Sequence, residues 1–148
     1  MTFHPYGRLY TWYVVVDIRD ISPEGWHVPS DTGWNELQLY LGMDPIDENL
    51  MGVSDNGISA LLKETGTNHW ESPNAGATNE SGFTALPGGY RRSLNKDFNY
   101  IGEWVFFWTS SEYDFENAYF RSFSYDTRNI SRSCNLKNYG YSIRCIKD

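Results

Sequence analysis

Two thiols, Cys134 and Cys145, are the only cysteines in the chain, and each has an arginine nearby, Arg132 two residues before the first and Arg144 directly before the second. A thiol becomes nucleophilic only where its neighbours lower its pKa. In an extended strand Arg132 projects to the same side as Cys134, so this is the constellation from which thiol chemistry could be built. The three histidines, His4, His27 and His69, are dispersed, with no His-x-x-x-His or paired-carboxylate spacing around them. His27, within GWHVP, reads as a structural histidine. Glu112, Asp114, Glu116 and Asp126 cluster in sequence, but calcium requires several converging oxygen ligands, and a solvated acidic rim is the simpler reading. No Ser-His-Asp order, phosphate loop or glycosidase carboxylate pair emerges. The expectation is a non-enzymatic chain with no cofactor and no metal.

Contact chemistry is better represented. Between Trp104 and Asp148, aromatic and β-branched residues recur at short intervals, broken by polar turns at Glu112–Asn117, Tyr125–Asn129 and Asn135–Tyr139. This reads as an antiparallel meander of three or four strands. Its candidate contact positions, mostly polar or aromatic, are Asp114, Phe115, Asn117, Phe120, Ser122, Tyr125, Asp126, Thr127, Asn129, Ile130, Ser131, Ser133, Leu136, Asn138, Tyr139 and Tyr141. Many are Tyr, Ser, Asn or Asp, which supply contact area and hydrogen bonds at low entropic cost. Alternation puts Tyr119, Arg121 and Phe123 on one face and Phe120 and Ser122 on the other. The first three look like the framework of a known family, and that resemblance makes the Phe120/Ser122 face the expected ligand face.

The preceding residues must hold that meander. Tyr10 to Ile18 (YTWYVVVDI) is β-rich and reads as a strand buried on both faces. After the turn at Ser22–Gly25 comes a short strand, Trp26-His27-Val28. Ser30 or Asp31 can cap a helix whose stripe is Trp34, Leu37 and Leu41 with Tyr40 on the flank, ended by Gly42 and Pro45. Asp44 to Gly57 reads as a surface loop, and a shorter helix follows with Ile58, Leu61 and Leu62 inward, ending at Gly66. The 16 residues from Thr67 to Gly82 lack periodicity, which marks a structured loop, with Trp70 pinning it to the core. Phe83–Pro87 reads as a strand entering a Gly88-Gly89 turn, and Asn95–Asn99 as a loop. Strand, two helices, long loops and then an antiparallel sheet make an α+β plan.

Length and composition agree with a single domain over residues 1–148; a domain of this size buries roughly 68–70% of its unfolded surface. Aromatics are 17% of residues and must be core or contact surface. A net charge of −7 argues against nucleic acid or an anionic membrane as partner. No apolar run approaches the ~20 residues of a membrane span, and MTFHPYGRLY has no charged n-region or apolar h-region, so no signal peptide is expected.

Several phrases resemble one family. Tyr6–Tyr10 (YGRLY), PEGWHVPSD (Pro23–Asp31), LKETGTNHW (Leu62–Trp70), SGFTALPGGYR (Ser81–Arg91), WTSSEY (Trp108–Tyr113) and SIRCIKD (Ser142–Asp148) resemble, in order, the Fibrobacter-type major paralogous domain, FISUMP. The resemblance implies a C-type-lectin-like fold related to formylglycine-generating enzymes, found on surface proteins of bacteria and their phages. In that fold an N-terminal strand pairs with the C-terminal one, two helices are present, and ligand sites lie on the late strands. Family members often carry a Cys in the turn before PEGWH, paired with the Cys of the final strand; here that turn has Ser22, so Cys145 is expected to lack its usual partner. Gly33 stands where an acidic residue usually completes the helix cap, and the family's longer N-terminal lead-in is absent or cut away here.

The late strands are also similar to variable proteins of diversity-generating retroelements, whose C-type-lectin-like targets often end in a phrase like GFSVRCVKD. Their rewritten codons, mostly of Asn type, cannot become Lys, Glu, Gln, Trp or Met. Of the 30 residues from Tyr113 to Ser142 only Glu116 and Lys137 belong to that set, against 21 in the other 118.

Together these readings describe a non-enzymatic binding domain of a bacterial surface or phage adhesin, forming the C-terminal part of a longer parent chain. It would be carried outside the cell or on a phage tail, where it meets a protein or glycan on a cell surface. The alternatives are a calcium-dependent carbohydrate-binding module and a thiol-dependent oxidase of the formylglycine-generating type. The lectin tripeptides Glu-Pro-Asn, Gln-Pro-Asp and Trp-Asn-Asp are absent.

Overall fold

The computed structural model describes residues 5–54 and 56–148. His4 lies outside them. In chain order the elements are α1 (Trp12–Val15), β1 (Trp26–His27), α2 (Asp31–Tyr40), a 3-10 turn (Pro45–Asp47), β2 (Gly52–Ser54), α3 (Ile58–Leu62), β3 (Tyr90–Arg91), β4 (Phe98–Asn99), β5 (Trp104–Glu112), β6 (Asn117–Ser124), β7 (Ile130–Leu136) and β8 (Ile146–Lys147). Few short helices and antiparallel sheets make this an α+β arrangement. No helix among the described residues is long and apolar enough to cross a membrane.

The expected meander is the centre of the molecule. A four-stranded sheet runs in the order β2-β7-β6-β5, with every pairing antiparallel. Register follows the alternation of the sequence. Phe107, Arg121 and Arg132 are cross-strand neighbours on one face, and Trp108, Phe120 and Ser133 on the other. What alternation does not reveal is that both faces are covered. On the Arg121 face, Val105, Phe107, Phe123 and Ile130 pack with Trp34 of α2, Ile58 and Leu62 of α3, and Trp70. On the Phe120 face, Trp108, Ala118 and Phe120 pack with Trp12 of α1 and with Tyr141.

A β-bulge separates Trp108 from Glu112 in β5, and its residues anchor the N-terminal third. The Trp12 indole donates to the Thr109 carbonyl (2.8 Å), Ser110 N–H donates to the Pro29 carbonyl (2.9 Å), and the Asp31 N–H donates to Ser111 Oγ (3.0 Å). Bulges re-aim strand groups in this way. The 67–82 loop is structured as expected: Trp70 is buried and donates to the Ala85 carbonyl at 2.9 Å. Asn74 donates to the carbonyls of Glu64 and Gly66.

Several local expectations fail. The β-rich run from Tyr10 holds a single helical turn, not a strand. Tyr10 exchanges backbone bonds with Tyr141, but the next backbone bond, from Trp12 N–H, goes to Lys137 rather than along a ladder. β-propensity measures fit to a pleated neighbour, and here the neighbour ends after one bridge. Tyr13 and Ile18 are exposed as a result.

In α2 the Ser30 cap holds, its Oγ accepting from Gly33 N–H at 3.0 Å, but the buried face differs. Asp31, Trp34, Asn35 and Gln38 are buried, at i, i+3, i+4 and i+7, whereas Leu37 and Leu41 only flank the core and Tyr40 is 87% exposed. The stripe turns because its polar members are needed by Arg121.

The Asp44–Gly57 stretch, expected as loop, supplies β2 at the sheet edge. Residues 83–87 form only one bridge, Lys63 to Ala85, while Phe98–Asn99, expected as loop, pair with β3. The last strand shrinks to β8, which pairs with β1 and so joins the N-terminal third to the C-terminus.

Candidate binding surface at the hairpin ends

Lys137 organises one end of the sheet. Its ammonium is buried and donates to the Glu112 carboxylate, to the Asp114 carbonyl at 2.9 Å and to the Phe115 carbonyl at 2.7 Å, with its charge 4.9 Å from the Trp12 ring. From the other side, Asp114 Oδ1 accepts from the backbone N–H groups of Glu116 and Asn117, both at 2.8 Å, and from the Asn117 side chain at 2.9 Å. Desolvation pushes the Asp114 carboxyl upward, but these bonds and the Lys137 charge outweigh it and hold it below its ordinary value. The β5–β6 turn is therefore tied at two points, and Phe115 at its tip is left 91% exposed.

Around that ring lies an open cavity of ≈440 Å³, between Trp12 and Tyr13 on one side and Leu136 and Asn138 on the other. Glu112 and Glu116 reach the same cavity. Lys137 balances only one of the three carboxylates of Glu112, Asp114 and Glu116, so this end of the sheet combines apolar side chains with an excess of acid. Lys137 fills its cage of oxygens much as a metal ion would. Among the described residues, no three His, Cys, Asp or Glu side chains converge as a metal-binding group.

The sixteen expected contact residues are thereby divided. Asp114, Phe115, Asn117, Leu136 and Asn138 come together at the Lys137 end. Tyr139 is half-buried, its ring 5.8 Å from Tyr90 and 6.1 Å from Tyr141. Ser131 and Ser133 are half-buried along β7. Tyr125, Asp126, Thr127 and Asn129 lie at the opposite end of the sheet, roughly 23 Å away by strand rise. There they serve the fold: Asp126 accepts from Ser124 Oγ (2.5 Å), Thr127 provides a carbonyl to Lys63 (2.8 Å), and Tyr125 packs on the core.

Four positions are corrected outright. Phe120, Ser122, Ile130 and Tyr141 are buried, each at most 8% exposed, and offer a ligand nothing. Trp12 and Tyr141 cover the face assigned to the ligand, and Trp34 and its neighbours cover Ile130. Arg121 and Phe123 are buried as expected of framework. Conversely, Trp12, Tyr13 and Lys137 line the cavity and were not foreseen. Lys137 had a signal, as the one lysine between Tyr113 and Ser142; Trp12 was hidden in a segment expected to be a strand.

A family model described as the Fibrobacter succinogenes major domain matches residues 3–147. The chain belongs to this family. No curated protein and no solved structure matches it.

Within the major-domain family the resemblance implied a bridge from the turn before PEGWH to the final strand. Here Cys145 Sγ lies 3.4 Å from Ser22 Oγ, so the two positions do meet and only the second sulfur is missing. Both cysteines are free and half-buried. Burial, helped by Asp114, pushes the Cys134 thiol up, against a smaller opposing effect of Arg132. That arginine is spent on Asp31, which it binds at 2.6 Å. In this major-domain chain, Cys134 is thus held as a thiol.

Proposed function

We propose that this chain is a non-enzymatic binding domain with a C-type-lectin-like fold, and that its contact surface is the Lys137 end of the sheet. The pairing of β1 with β8, the presence of α2 and α3, and the display of side chains by the late strands all support the lectin-like reading. The observation that carries the function is Phe115: a phenyl ring 91% exposed on a turn held by Asp114 and Lys137. Single exposed aromatics are ordinary, but this one shares a cavity with exposed Tyr13 and Leu136, and a group of exposed apolar side chains beside polar ones is partner surface. Tyr and Phe supply area, and Asn138 with the acidic side chains supplies hydrogen bonds. The excess of acid favours a neutral or basic ligand, a glycan or a protein surface on a cell. As part of a bacterial or phage adhesin, the domain would display this surface outward. A diversified version of it needs variation only at the accessible positions Asp114, Phe115, Asn117, Leu136 and Asn138; a near-copy of these codons beside a reverse-transcriptase gene in the flanking DNA is the check on that reading.

The test is binding of the fluorescently tagged domain to an array of glycans and to intact bacterial and host cells. Binding that disappears in the Phe115→Ala/Tyr13→Ala variant, with an unchanged melting curve, supports the assignment. Binding that survives both substitutions places the contact elsewhere.

A further inference from the structure

A second cavity, of ≈490 Å³, lies where the 6–9 segment passes the β3–β4 hairpin, and neither the late strands nor the hairpin ends contribute to it. Gly88 is part of its lining. Gly140 is outside the lining, but a Cβ there would sit 3.0 Å from that of Arg91 and 3.4 Å from that of Leu9, so its missing side chain lets these two lining residues pack close to it. Phe98 and Ile101, 63% and 51% exposed, form its apolar wall.

Its charge is one-sided. Arg8 and Arg91 line the cavity, and no acidic residue does. The ion pairs of the described residues are made by Arg19, His27, His69, Arg121, Arg132 and Lys137; neither Arg8 nor Arg91 takes part in one. Arg91 pairs directly across the hairpin with Phe98, so the two side chains share one face and set a guanidinium beside an apolar ring. In a chain of net charge −7, two arginines with no carboxylate partner among the described residues, flanking an apolar concavity, are complementary to an acid with an apolar body. Guanidinium groups bind carboxylates through paired, charge-assisted hydrogen bonds, and the volume falls within the range of small-molecule pockets.

We propose that this cavity is a binding site for a small amphipathic carboxylate, with Arg8 and Arg91 holding the head group and Phe98 and Ile101 the apolar tail. The site is independent of the hairpin-end surface. Decanoate, kept below its micelle concentration, is the probe, titrated into the ¹⁵N-labelled full chain, with 1-decanol and acetate as comparisons. Saturating shifts confined to amides around Arg8, Gly88, Arg91 and Phe98 are expected with decanoate, with decanol at least about tenfold weaker for want of the charged hydrogen bonds and acetate weaker than decanoate. The variant Arg8→Gln/Arg91→Gln, its spectrum otherwise unchanged, should bring decanoate to the level of decanol. Equal binding of decanoate and decanol by the wild type, shifts centred elsewhere, no saturable binding, or an unaltered decanoate affinity in the double variant would each overturn the proposal.

Discussion

Arg121 and Asp31 are 90 residues apart in sequence, and the guanidinium Nη1 donates to the Asp31 carboxylate at 2.7 Å. Arg121 is wholly buried, and Gln38 Oε1 (2.7 Å), Asn35 Oδ1 (2.6 Å) and the Asp31 carbonyl (3.3 Å) accept three more of its N–H groups. Arg132 donates to the other Asp31 oxygen at 2.6 Å. One carboxylate on the first turn of α2 therefore joins that helix to two adjacent strands.

Asp31→Asn should be among the most destabilising single changes, costing about 3–5 kcal/mol, because it leaves two guanidinium groups, one of them fully buried, without a counter-charge. Urea unfolding of wild type and variant at neutral pH measures it. Burial raises the Asp31 pKa, but the hydrogen bonds and charges of Arg132 and Arg121 outweigh burial and lower it overall. A carboxyl with a depressed folded pKa contributes stability above its unfolded pKa, near 4, and loses it as pH falls through the folded value. Wild type should lose stability across that acid window, and Asp31→Asn should lose less.

Lys63 is a further buried cation, with no carboxylate pair among the described residues. Its ammonium donates to the carbonyls of Thr127 (2.8 Å), Ser124 (3.0 Å) and Ala75 (3.1 Å), clamping the 67–82 loop to the β6–β7 turn. Lys63→Met, which retains the stem, strands three acceptors and should cost on the order of 3 kcal/mol. Burial lowers the Lys63 pKa to about 8, with Asp126 opposing. The folded value lies below the unfolded one, so the unfolded chain binds more protons between about 8 and 10.4, and this group makes stability rise with pH across that window. The ¹³C shift of the Lys63 side chain, followed from pH 6 to 11, locates the titration.

Ser22→Cys should create the bridge that the family resemblance implies. Ser22 Oγ already lies 3.4 Å from Cys145 Sγ, and closing so long a loop stabilises a chain by about 2–4 kcal/mol when the geometry is unstrained. A melting transition raised in the oxidised variant and returned to wild type by reductant is the expected result.

The two kinds of aromatic residue in the late strands should separate cleanly. Phe115→Ala should leave stability within about 0.5 kcal/mol of wild type, since the ring packs on little. Phe120→Ala, which opens a hole between Trp108 and Tyr141, should cost about 3–5 kcal/mol. Chemical denaturation of the two variants side by side distinguishes contact surface from core.

Local chemistry was legible in the sequence wherever a short stretch decides its own structure. The Ser30 cap, the polar turns of the meander, the sidedness of Tyr119, Arg121 and Phe123 against Phe120 and Ser122, and the family membership all follow from neighbouring residues or fixed spacing. Pleating sets which side chains share a face regardless of what lies beyond the sheet. What covers each face depends on segments about 100 residues away. Trp12 reaches the Phe120 face because its indole bonds the Thr109 carbonyl, 97 residues on, and no period in either stretch encodes that meeting. The same holds for the polar face of α2, which looks like a weak helix stripe until Arg121 is placed against it. Composition and alternation thus determined that this is an aromatic-rich α+β domain with a β-meander and contact-type side chains. Only the tertiary structure decided which of those side chains are core and which are surface, because burial is a property of partners distant in sequence.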